Sequence, residues 1–163
     1  MNLGRMNLFS TMLLVFLLSG CDEEAPSLRG SLGELLDLGY SKSTIEMTET
    51  ALTLRFLKER GEQWDTVIKV AVNLVDITVG PGTSIDLAEQ IPELGQRGRV
   101  TRNVFKDEHT GFPTLLRGSL SVQNDPATAT TVGGEVSASF VVGSEFGCGR
   151  ALFGPFTAEV VSP

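Results

Sequence analysis

Apolar and polar residues alternate over short stretches along most of the chain, the period-two signature of half-buried strands. Residues 132–142 show it most cleanly. Val136, Ala138, Phe140 and Val142 share one parity, and Glu135, Ser137 and Ser139 take the other. Residues 151–161 answer with Phe153, Phe156, Ala158 and Val160. The glycine-bearing stretch 143–149 lies between them, so the two segments predict a hairpin. Pro155 places the second strand at an edge or a bulge, because proline has no N–H to give a neighbour. In residues 44–57, Ile45, Met47 and Ala51 share a parity, and then Leu52, Leu54 and Phe56 take the other. Such a switch predicts a bulge or two shorter strands. Residues 66–79 switch in the same way, from Ile68, Val70, Val72 and Leu74 to Val75, Ile77 and Val79. A turn at Gly61-Glu62-Gln63 would join the two stretches.

The remaining segments are shorter. Residues 115–122, with Leu116, Leu120 and Val122, predict a strand, and residues 83–87 a brief one. Residues 99–106 alternate weakly, because Arg102 falls on the parity of Val100 and Val104. Residues 31–39 carry Leu32, Leu35, Leu36 and Leu38, a first strand with some helical character. Residues 88–98 look irregular, and residues 127–131 predict a loop or a poorly packed edge. Leu28-Arg29-Gly30-Ser31-Leu32 recurs as Leu116-Arg117-Gly118-Ser119-Leu120, which we expect to be coincidence rather than a structural repeat. The pattern as a whole predicts an all-β fold, an antiparallel β-sandwich or small barrel of about seven to nine strands in one domain over residues 28–163.

The first 20 residues break this pattern. Arg5 is the only charge before Asp22, and residues 8–18 are mostly apolar, 11 residues in all. That is short of the ~20 a membrane-spanning helix needs and fits the apolar core of a signal peptide. The segment ends Leu18-Ser19-Gly20-Cys21. A branched apolar residue, two small residues and a cysteine resemble the lipobox of bacterial lipoproteins. The resemblance implies that residues 1–20 are a signal peptide, cleaved between Gly20 and Cys21, and that Cys21 becomes the acylated first residue of the mature chain. It implies palmitate-type acyl chains, a cell-envelope membrane and a domain facing the periplasm. Asp22 resembles the residue that retains such proteins in the inner membrane of enteric bacteria; inner and outer membrane both stay open. Residues 21–27 then form a lipidated cysteine with an acidic tether, reaching at most about 20 Å past the anchor.

Composition narrows the function. The 163 residues carry 13 Lys and Arg against 20 Asp and Glu, a formal charge of −7. An acidic chain makes a poor partner for nucleic acid. Loss of Arg5 with the leader makes it more acidic still, so acyl chains rather than charge must hold it to a membrane. With Cys21 acylated, Cys148 is left as an unpaired thiol or one half of an intermolecular disulfide.

Catalytic chemistry finds little to build on. His109 is the one histidine, in Asp107-Glu108-His109, with neither a serine elbow nor a second metal-ligating histidine. No enzyme, metal or cofactor is therefore expected, and the loop is expected to be solvated. Arg97, Arg99 and Arg102 form the one basic cluster, expected on a solvated face. Trp64 is expected to cap the core, or else to join a binding surface. These residues predict a non-catalytic, membrane-anchored β-sandwich that serves as a binding or interaction module for another envelope protein or a ligand. The alternative is a small β-barrel that carries an apolar ligand in its interior.

Overall fold

The computed structural model describes residues 26–142 and 149–163; Cys21 and Cys148 lie outside them. The described chain is all-β apart from a 3₁₀-helix at Ser31–Glu34. Its strands are β1 (Lys42–Met47), β2 (Ala51–Arg60), β3 (Gln63–Asn73), β4 (Ser84–Asp86), β5 (Gln90–Ile91), β6 (Gly95–Gln96), β7 (Gly98–Asn103), β8 (Leu115–Val122), β9 (Thr131–Phe140) and β10 (Ala151–Val161). Eight form one sheet in the order β4-β8-β9-β10-β1-β2-β3-β7, curled into a nearly closed barrel. β5 and β6 form a separate two-stranded sheet. The sheet is mixed rather than purely antiparallel: β1 runs parallel to β10, with Ser43 opposite Ala158. This pairing joins the two hairpin systems that the alternation predicted separately.

The two parity switches have different origins. In the first, the hydroxyl of Thr48 accepts from the N–H of Ala51 at 3.1 Å, and a tight turn separates β1 from β2. The second, between Leu74 and Val75, falls where the strand has already ended; a separate register shift at Phe56/Leu57 is a bulge that buries the consecutive Val67 and Ile68. β3 ends at Asn73, so residues 74–79, predicted as strand, form a loop that still buries Leu74 and Val79.

The predicted first strand is corrected too. Leu28, Leu32, Leu36 and Leu38 are buried in the core while Leu35 is exposed. This segment therefore packs under the barrel end where β2 turns into β3. Gly30 turns it at φ 119°, and a Cβ there would lie 2.3 Å from the carbonyl oxygen of Ala151. Its identical copy at 116–120 is plain strand β8, so the repeated pentapeptide has two different structures.

Leu87 bridges the edges of β7 and β8. Its N–H donates to Gly118 at 3.0 Å, and its carbonyl accepts from Gly98 at 2.8 Å. Both neighbours are glycines because a Cβ on Gly98 or Gly118 would stand 2.6 or 3.1 Å from the Leu87 Cβ. The amide of Gln96 extends the seam, donating to the carbonyl of Leu115 at 2.8 Å and accepting from its N–H at 2.9 Å. A primary amide can take the place of a strand neighbour in this way because it carries one donor and one acceptor side by side.

Pro155 lies within β10, opposite Glu135 of β9. On the other side β10 meets β1 only from Ala158 onward, and meets Arg29 at Phe153. Pro155 therefore faces a local gap in the pairing, where its missing N–H costs nothing. The expectation of an edge is met locally, inside a central strand.

Candidate interaction surface

The arginines of the basic cluster do not share a solvated face. Arg97 and Arg102 are buried, 6% and 5% exposed, while Arg99 points outward. Arg97 Nε meets Glu89 at 2.6 Å, and its Nη1 donates to the carbonyls of Asn73 and Val75 at 2.9 and 2.8 Å. Arg102 takes the inward parity of Val100. Its Nε donates to Asp107 at 2.7 Å, and its Nη1 to the carbonyls of Asp37 and Val67 at 3.0 and 3.1 Å. Asp37 belongs to the segment under the barrel, so Arg102 ties that segment to β3. Guanidinium groups tolerate burial when their donors are placed on carboxylate and carbonyl oxygens.

The loop of Asp107, Glu108 and His109 is more ordered than a solvated loop. Asp107 accepts from the backbone N–H of His109 at 3.0 Å, and its Oδ1 lies 3.0 Å from the His109 Nδ1. Burial works against the Asp107 carboxylate. The His109 N–H, the Arg102 guanidinium and the His109 ring outweigh it and hold the carboxyl down at about 2. The pair resembles the orienting half of a catalytic triad, but here the carboxylate fixes a buried arginine. Among the described residues, no three of His, Cys, Asp and Glu group so as to hold a metal ion.

Trp64 does not cap the core; it is 45% exposed. Its neighbour Asp65 is the buried one, and accepts from Arg60 Nε at 3.1 and 3.2 Å. Alternation then sends Trp64 outward. Lys42 Nζ stands 4.3 Å from the Trp64 ring centroid. Phe105, 57% exposed, is held by its N–H to Asp65 at 3.4 Å, and the Arg60 guanidinium lies 4.2 Å from its ring. Lys106 lies 5.2 Å from the same ring. Two exposed aromatic rings thus sit among three cations at the end of the β2–β3 hairpin. Its type, as the one tryptophan, marked Trp64 as a candidate, whereas nothing in the local pattern marked Phe105.

The gap beside Pro155 opens as a surface cleft of about 410 Å³, lined by Pro26, Tyr40, Lys42, Phe156 and Glu159 among others. Tyr40 packs edge-on against Phe56 at 4.9 Å, and burial raises its hydroxyl pKa above the ordinary value. Pro26 is the described residue nearest Cys21 in sequence, so the chain enters the barrel beside Lys42 and, through it, beside Trp64.

Comparison with protein families, with curated proteins and with solved structures finds no match to the chain. Among the described residues, no helix is long and apolar enough to cross a membrane.

Proposed function

We propose that the chain is a lipoprotein of the bacterial envelope, held to a membrane through acyl chains on Cys21, with its barrel facing the periplasm as a non-catalytic interaction module. The observation that carries this is the ending Leu18-Ser19-Gly20-Cys21 after a short apolar run. The short spacing suits an anchored domain: three residues separate Asp22-Glu23-Glu24 from Leu28, where the buried core begins. The interior favours an interaction module over a carrier of an apolar ligand. Phe56, Leu120, Phe140 and Leu152 are at most 1% exposed and belong to one packed cluster. The clefts described lie at the surface. Asp107 also serves Arg102, which supports a structural role for the Asp107–His109 pair.

Labelling of growing cells with a palmitate analogue tests the anchor. The native chain takes up label and sediments with membranes; Cys21→Ala takes up none and leaves the membrane fraction. Undiminished label on Cys21→Ala would contradict the proposal.

A further inference from the structure

We propose that the surface carrying Trp64 and Phe105 rests against the phospholipid membrane that holds the anchor. The inference builds on the proposed acylation of Cys21 and adds a defined orientation of the barrel. Pro26 lies five positions after Cys21, a span of at most about 17 Å even when extended. Pro26 shares a cleft with Lys42, and Lys42 lies over Trp64. The tether therefore emerges beside the exposed rings.

The chemistry of the patch suits the headgroup layer. Tryptophan is enriched where an apolar ring can sit beside polar headgroups, and long cationic side chains reach from apolar surface to phosphate. Lys42 and Lys106 lie over the two rings, and Lys58 and Arg60 stand on the same hairpin end. Lys58 is paired with Asp37 and Arg60 with Asp65. Glu59 and Glu62 are exposed on this hairpin, so charge attraction is modest and the rings make the main contact. Exposed acids stand at both ends of the barrel, Glu34, Asp37 and Glu108 near the rings and Glu49 of the β1–β2 turn and Asp76 at the far end, so the rings and the tether rather than net charge set the orientation.

Trp64 is the only tryptophan, so its emission reports this surface alone. The test uses the full acylated chain in phosphatidylethanolamine–phosphatidylglycerol vesicles, with or without bromine on the acyl chains. The expected result is blue-shifted emission in plain vesicles that is lost for the most part in brominated ones. A second chain, Trp64→Phe with Glu49→Trp, moves the probe to the acidic turn, about 30 Å along the strands, where bromine should leave emission unchanged. Equal Trp64 emission in both vesicle types would overturn the proposal, as would quenching at position 49. The intact mass of the same preparation separates the two readings. An acylated chain with unquenched Trp64 refutes the contact alone, as expected if the rings serve a protein partner. A chain without acyl groups refutes the anchor and the contact together.

Discussion

Replacing Arg102 by alanine should remove the strongest polar tie between the N-terminal segment and the barrel. The side chain is 5% exposed and donates to one carboxylate and two carbonyls, those of Asp37 and Val67. Breaking a buried pair by removing one partner costs 3–5 kcal/mol, and Asp107 keeps some solvent, so about 3 kcal/mol is expected here. A domain of this size has about 5–15 kcal/mol in total, so the loss should lower the melting temperature by about 10 °C. The urea midpoint should fall by about 2 M at a slope of ~1.5 kcal/mol/M. The pH dependence distinguishes this account from simple cavity formation. The Asp107 carboxyl is depressed from its ordinary 3.8 to about 2 in the folded state. A depressed carboxylate stabilises the fold above its unfolded pKa and loses that contribution as pH falls through the folded value; the shift corresponds to about 2 kcal/mol. Arg102 supplies part of the depression, so the gap between native and Arg102→Ala should narrow on acidification. Urea unfolding followed by circular dichroism at about pH 7 and about pH 3 measures both. A gap below about 1 kcal/mol at neutral pH, or one that does not change with pH, would refute the reasoning.

Gly98→Ala should cost about 1–3 kcal/mol or more, since the new methyl would stand 2.6 Å from the Leu87 Cβ with Gly118 behind it; thermal melting checks it, and a native midpoint would argue against the seam. Leu32→Ala should cost about 2–5 kcal/mol, because Leu32 is fully buried under the barrel end; a surface-like loss below about 0.5 kcal/mol would show that the segment is not part of the core. Gln96→Leu keeps the bulk but removes the amide pairing with Leu115, and should speed amide exchange of Leu115 without unfolding the barrel. Cys148 should leave the chain monomeric on a non-reducing gel; a reducible dimer band would assign it to an intermolecular disulfide instead.

The hairpins were legible in the sequence because their pairing is local. Val136, Ala138 and Phe140 alternate inward as the pattern requires, and Gly61 turns β2 into β3 at φ 63°. The barrel closure was not, because it joins Leu87, Gln96, Gly98, Gly118 and Leu115 from segments with no shared pattern. The parallel β1–β10 pair was hidden for the same reason. Arg102 shows a different limit. Its parity with Val100 pointed inward, but its residue type suggested solvent, and only the carbonyls of Asp37 and Val67 explain its burial. Trp64 turned outward because Asp65 is held inside by Arg60, a cross-hairpin contact that alternation alone does not rank. The proposed leader rests on the order of residue types alone, since a processing signal is linear and residues 1–25 lie outside the described structure.

The most direct measurement is the mass and sequence of the mature amino terminus. The account predicts a chain that starts at Cys21, lacks residues 1–20 and is heavier than its amino acids by the mass of attached acyl chains. A mature protein with an unmodified Cys21, or one that retains Met1, would contradict it.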